Sequence, residues 1–231
     1  MVDIHSHILP QVDDGSGSPE ETLKLLELSY QQGVTVMVAT PHFYADRDDP
    51  GRFLERRQAA LERFQPNPVS TPQLLVGAEV AYFKGMGGCE DLIPMAFGAA
   101  NLLLVEMPFA PWTDRIIDEI LSLQRQLGVQ PVLAHIERYS GADQFPQYME
   151  RLLEGGVLFQ CNASAFLSFF RSGRYLRLLE EGQVHFLGSD CHNATTRPPK
   201  LDQAAKVITR KLGPQILEEL DQFAHTQLLS L

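Results

Sequence analysis

The chain has 231 residues, 44% hydrophobic and 21% charged, enough to bury the core of one α/β domain over 1–231. Its formal charge of −10, from 29 acids against 19 lysines and arginines, argues against a nucleic-acid partner. No apolar run approaches the roughly 18 residues that span a bilayer, no basic leader precedes the first strand, and Cys89, Cys161 and Cys191 have the irregular spacing of free thiols, so a cytoplasmic protein is expected.

Strand and helix patterns then alternate along the chain. A short first strand carries Asp3, Ile4, His5, Ser6 and His7, with Asp14 just beyond it. Residues 19–32 are predicted helical, with Ser18 as N-cap, Pro19 in the first turn and Gly33 as the stop. An apolar, β-branched strand at 34–39 leads to His42, and a polar helix at about 50–64 ends before Pro66 and Pro68. A strand at 74–79 ends on Glu79, and a Gly-rich stretch at 84–88 is expected to be a mobile loop, with closure over a substrate an open question. The strand at 101–107 carries Glu106; a helix at 113–127, capped by Thr113 or Asp114 and ended by Gly128, precedes a strand at 130–135 ending on His135. Helix 145–153, strand 157–162 and helix 175–181 follow; strand 185–188 leads to Asp190 and His192 before helices at 201–212 and 214–229. Such alternation predicts parallel strands with helices outside, and seven strands predict a distorted or partly open (β/α)7 barrel of the TIM type with its site at the C-terminal strand ends.

Six of the seven strand runs end in a histidine or carboxylate; only the run ending at Asn162 does not. Charge left alone at the edge of a core is unfavourable, so this recurrence points to shared cations. His5 and His7, two apart on a strand, point to one side and can chelate one ion, with Glu79 and Asp190 as oxygen donors. A nitrogen-and-oxygen set without thiolate favours manganese, iron or zinc. Nine candidates (His5, His7, Asp14, His42, Glu79, Glu106, His135, Asp190 and His192) are enough for two or three ions if carboxylates bridge. Arg138 and Arg197 lie beside ligand positions, and their forked donors are assigned to substrate phosphate oxygens, with a salt bridge as the alternative.

The motifs DIHSHILPQVDDG at 3–15, ATPH at 39–42, GAE at 77–79, AHIERY at 134–139 and SDCHN at 189–193, with Glu106 and Arg197-Pro198, cover nearly the whole chain. In this order the chain resembles the polymerase-and-histidinol-phosphatase (PHP) superfamily, and within it the manganese-dependent bacterial tyrosine phosphatases of capsule and exopolysaccharide loci. The resemblance implies a trinuclear site: one ion on His5, His7, Glu79 and Asp190; a second sharing Glu79 with Glu106 and His135; a third on Asp14, His42 and His192. It also implies a phosphotyrosyl protein substrate, the tyrosine-rich tail of a bacterial tyrosine kinase controlling polysaccharide assembly. The stretch Phe43-Tyr44-Ala45-Asp46 departs from the more polar or basic sequences of relatives and bears on substrate contacts.

Other readings remain open at this level. A phosphatase of the same superfamily acting on a small molecule such as histidinol phosphate would share the ligands, as would a binding module that holds phosphotyrosine without cleaving it. Cys191 and Arg197 have the spacing of cysteine-dependent phosphatases, but the intervening residues contain no glycine, and Pro198-Pro199 removes two N–H donors. His185 and His225 stand outside the motifs and read as structural, Asp13 as a turn former or a partner of a ligand, and Asp3 as a capping group or one that orients an imidazole. Phe43, Tyr44 and Tyr82 are candidates for the pocket mouth or for packing.

Overall fold

A computed structural model describes residues 1–139 and 145–229. The elements run β1 (Val2–Ser6), α1 (Pro19–Gln31), β2 (Val36–Ala39), β3 (His42–Phe43), α2 (Pro50–Leu61), β4 (Gln73–Val76), β5 (Glu79–Ala81), β6 (Leu102–Glu106) and α3 (Asp114–Leu127). They continue with β7 (Gln130–Leu133), α4 (Phe145–Glu154), β8 (Leu158–Asn162), α5 (Ala163–Leu167), α6 (Ser172–Glu180), β9 (Phe186–Gly188), α7 (Leu201–Leu212) and α8 (Gln215–Leu228). The expected caps form: the side chains of Ser18 and Thr113 accept from the backbone N–H groups of Glu21 and Ile116, and Gly128 ends α3 at φ 68°. The short helix α5 and 3-10 turns at Glu90–Met95 and Ile136–Arg138 carry no periodic signal long enough to predict.

Nine strands reduce to seven because two are interrupted. Pro41 cannot donate to a ladder, and it separates β2 from β3 while β4 breaks from β5 alongside. The register nevertheless continues across the break: Val36 faces Gln73, Ala39 faces Val76 and His42 faces Glu79. The N–H groups of Gly77 and Glu79 bridge it by donating to the carbonyls of Ala39 and Pro41. All ladder pairings are parallel, in the order β1-β2-β4 and β3-β5-β6-β7-β8-β9. The ring returns to its start where Ser6 pairs with Cys191 and where His7 N–H donates to Cys191 O and Asp190 N–H to His5 O. Lower down, β4 pairs with β2 and, among the described residues, not with β6, so the barrel is distorted as the seven-strand pattern predicts.

Alternation along the strands sorts the core into two parts. Met37, Leu103, Val105, Leu133 and Phe159 face the helices. Val2, Ile4, Val36, Val38, Leu102, Leu104, Val132 and Phe186 form a second cluster that Phe97 and, from α8, Ala224 and Leu228 complete. The carbonyls of Gln227 and Leu228 accept from Ala100 and Ala99, fixing that helix to the loop before β6.

The stretch at 84–88, expected to be a loop, is docked against α3. Glu119 on α3 accepts from Gly85 N–H (2.9 Å) and Tyr82 OH (3.1 Å), and Met86 is fully buried. A Cβ on Gly87 would lie 2.2 Å from Ser122 Oγ, so glycine here permits tight docking on the helix. Composition alone does not distinguish a glycine that confers freedom from one that permits contact.

Candidate metal centre

The first strand sets the site through an irregularity. Val2 and Ile4 point into the apolar cluster, so strict alternation would send His5 the other way. The β1 register slips by one between Asp3, which faces Met37, and Ser6, which faces Ala39. A bulge of this kind re-aims a side chain, and both His5 and His7 turn into the barrel mouth.

There the nine expected residues come together. Glu79, fully buried at the start of β5, is central: its Oε2 lies 3.1 Å from His5 Nε2, 3.2 Å from His7 Nε2 and 3.1 Å from His42 Nδ1. Its Oε1 lies 2.8 Å from His135 Nε2, which is 3.4 Å from Glu106 Oε1. Asp190 Oδ1 is 3.5 Å from His7 Nε2 and 3.8 Å from His5 Nε2. At the rim, Asp14 Oδ1 is 3.5 Å from His192 Nε2 and 3.7 Å from His42 Nε2. Three overlapping groups have donor atoms within 4.8 Å of one another: His5, His7 and Asp190; His42, Glu79 and Glu106; and His7, Asp14, His42 and His192.

The donor set fits divalent cations for reasons visible in the hydrogen bonds. His5 Nδ1–H donates to Gln160 Oε1 (3.0 Å) and His7 Nδ1–H to Asp13 Oδ2 (2.7 Å). Both Nε2 atoms are thereby turned toward each other, 3.1 Å apart. Two lone pairs at that distance call for a positive charge between them or beside them. Without a metal ion a proton takes that role: burial opposes charge on His7, but hydrogen bonds to Asp13 and Glu79 outweigh it and push the pKa up to about 10. His135 is pushed up to about 9 in the same way by Glu106 and Glu79, against its burial. His192 differs. Its Nδ1–H donates to Asp190 O (3.0 Å), its Nε2 is buried without a hydrogen-bond partner, and burial together with nearby His7 pushes its pKa down to about 4. An orphaned, uncharged imidazole nitrogen aimed at Asp14 is a ready metal donor.

The strand without a ligand proves to be the brace. Gln160 Oε1 accepts from both His5 Nδ1–H and His135 N–H, Gln160 Nε2 donates to Asn162 Oδ1 (2.8 Å), and Asn162 Nδ2 donates to Asp190 Oδ2 (2.9 Å). One amide chain thus fixes three proposed ligands. The signal available in the sequence was two amides, two apart, in an apolar parallel strand, a pattern that buried polar groups adopt only when bonded. Asp13 is a further brace, accepting from His7 Nδ1–H, His42 N–H and Gly15 N–H. Asp3 serves the backbone, its Oδ1 accepting from the N–H groups of His5 and Ser189, and it orients no imidazole. His135 and Asp190 adopt left-handed φ values of 35° and 51°, a strain of about 1–3 kcal/mol each where it occurs and common at functional sites.

Arg138 and Arg197 reach the same carboxylate. Arg138 bonds Asp190 and lies 3.8 Å from Glu106, while Arg197 Nη2 is 2.9 Å from Asp190 Oδ1. Both are partly exposed and line a cleft of about 590 Å³ with Asp14, His42, Tyr44, Glu106 and Lys200. Tyr44 forms a wall of that cleft, its ring 5.2 Å from His42, whereas Phe43 is core and Tyr82 packs toward Glu119. Cys191 is fully buried and burial pushes its thiol pKa up, which removes the thiolate nucleophile that its spacing from Arg197 raised. His185 accepts from Phe159 N–H, and His225 donates to Asp221 O; neither faces the cleft.

Fold and donor set together define an α/β barrel with a candidate metal centre at its C-terminal mouth. Residues 1–229 match the capsular polysaccharide synthesis CpsB/CapC family, and the chain belongs to it. It is 34% identical over 235 residues to the tyrosine-protein phosphatase CpsB of Streptococcus agalactiae, covering 95% of this chain and 94% of that one. The CpsB tyrosine-protein phosphatase of Streptococcus pneumoniae is 32% identical over 238 residues, with coverage of 95% and 94%. The fold matches a crystal structure from a study of YwqE from Bacillus subtilis and CpsB from Streptococcus pneumoniae, described as metal-dependent tyrosine phosphatases. The TM-score is 0.78 at 24% identity, over 100% of this chain and 96% of that one.

Proposed function

We propose that residues 1–231 act as one metal-dependent protein-tyrosine phosphatase domain, and that the nine clustered residues hold its ions. The observation that carries this reading is the pair of Nε2 atoms on His5 and His7, turned by Gln160 and Asp13 onto Glu79 and Asp190 beneath two arginines. Bound divalent ions supply Lewis acidity at phosphoryl oxygen and a water of near-neutral pKa. The chain supplies the rest. Arg138 and Arg197 hold phosphate oxygens with forked donors, Tyr44 flanks the phenyl ring, and the buried braces keep the ligands oriented without reorganisation. A phenol, with a pKa of about 10, leaves without a strong general acid.

We further propose three ions; the mixed nitrogen-and-oxygen donor set suits manganese, iron or zinc, and the resemblance to manganese-dependent phosphatases makes manganese the leading choice. The substrate is a tyrosine-phosphorylated protein, the tail of a bacterial tyrosine kinase in polysaccharide assembly; the family and the named relatives support this. A cytoplasmic site of action is supported by three free cysteines and by the lack, among the described residues, of any helix long and apolar enough to cross a membrane. The test is one preparation assayed for metal content and for hydrolysis of p-nitrophenyl phosphate, a phosphotyrosyl peptide and histidinol phosphate, before chelation, after it and after manganese return. Manganese-restored cleavage that favours the peptide is expected. Preference for histidinol phosphate, or tight peptide binding without phosphate release, would replace the reading.

A further inference from the structure

Beside the main cleft lies a second one of about 290 Å³ that shares Glu137, Arg138 and Ser164 with it and is otherwise lined by Ala165, Ser168, Arg171 and Tyr175. Ser168 and Arg171 are the two ends of a tight turn, which Ser172 N–H closes by donating to Ser168 O. At its tip stand Phe169 and Phe170, 91% and 92% exposed, their rings 5.1 Å apart and edge to face. Two adjacent phenylalanines in open solvent are unfavourable for the free chain, since full burial of such a side chain stabilises by roughly 1.5–3 kcal/mol. Arg171 forms no ion pair among the described residues and faces the second cleft, on a chain whose formal charge is −10.

We infer that this turn and side cleft form a docking subsite for the residues flanking phosphotyrosine in a peptide substrate, taking an aromatic neighbour against Phe169 and Phe170 and an acidic one at Arg171. The assignment rests on the phosphatase reading above. Continuity argues for this occupant: a peptide whose phosphate lies at Arg138 extends directly into the side cleft, because Arg138 lines both. Charge argues the same way, since the only basic group of the side cleft not engaged with a ligand carboxylate is Arg171 among the described residues.

The test compares the wild type with the Phe169→Ala/Phe170→Ala double variant and with Arg171→Ala, all loaded with manganese. Each is assayed on p-nitrophenyl phosphate and on a phosphotyrosyl peptide bearing a tyrosine and a glutamate beside the phosphotyrosine. The expected result is a peptide KM raised roughly tenfold in the double variant, with peptide kcat and both constants for p-nitrophenyl phosphate unchanged. Arg171→Ala should raise KM for the glutamate peptide and not for its glutamine counterpart. An unchanged peptide KM overturns the subsite while the phosphatase stands, and so does an equal loss on both substrates. If sedimentation shows that the double variant only converts an oligomer to a monomer, the turn is a contact between copies and the subsite is lost. A wild type inactive on both phosphoesters is a separate failure, of the phosphatase reading itself.

Discussion

The N-terminal end of the barrel is filled by Val2, Ile4, Val36, Leu102, Leu104, Val132 and Phe186 under α8, with no charged side chain among them. Further along the barrel strands, at their C-terminal ends, the interior holds His5, His7, Glu79, Glu106, His135 and Asp190, nearly all as deeply buried. One end is stabilised by removal of apolar surface from water. The other concentrates buried donors that are satisfied only by braces, protons or cations. Continuous strands make the two ends interdependent, because the apolar plug fixes the strands on which ligand positions depend.

Perturbing the two ends separately should give opposite signatures. Glu79→Ala, which removes the carboxylate shared by four histidines, should abolish stoichiometric metal and reduce p-nitrophenyl phosphate hydrolysis beyond the roughly 100-fold that loss of an outer partner can cause. Metal analysis and kcat/KM check this; retained activity would mean that Glu79 is no ligand. Leu104→Ala at the plug should lower stability by about 2–5 kcal/mol in urea titration, with kcat per folded molecule unchanged. A large change in kcat with little loss of stability would show that the apolar end shapes the site directly.

Metal removal tests the polar end alone. At manganese about 100-fold above its dissociation constant, chelation should remove about 2.7 kcal/mol of stability. The metal-free protein carries a pH signature of its own. His7 and His135 have pKa values raised from 6.5 to about 10 and about 9, so their contribution is fully present below pH 6.5 and is lost as the pH rises through 9 to 10. Manganese requires those imidazoles unprotonated, so its increment in Tm should grow from pH 6.5 to 9; an increment that shrinks would exclude them as ligands. More gently, Asp13→Asn or Gln160→Ala should weaken manganese binding about 10–100-fold by freeing His7 or His5, which equilibrium dialysis measures. Cys191→Ser should leave both metal content and phosphate release unchanged.

How much of this could be read without coordinates varies by element. Helix ends at Ser18, Thr113 and Gly128 were readable because capping is local chemistry. The donors at strand ends were readable because polar residues interrupt apolar runs visibly. The docking of 84–88 on α3 was not readable, since it depends on the burial of Met86 and on Glu119, more than thirty residues away. The roles of Gln160 and Asn162 were missed because an amide's function depends on partners contributed by other strands.

The chain's linear order of residues was sufficient for the parallel α/β architecture, the seven-strand count and the placing of histidines and carboxylates at strand ends, all consequences of periodicity and residue chemistry within a few positions. Only the tertiary structure decided that β1 slips register so that two histidines face inward, that one amide chain ties His5, His135 and Asp190 together, and that Phe169 and Phe170 stand beside the cleft. Those features arise from contacts between segments remote in sequence, where the energy belongs to the pair and not to either residue alone.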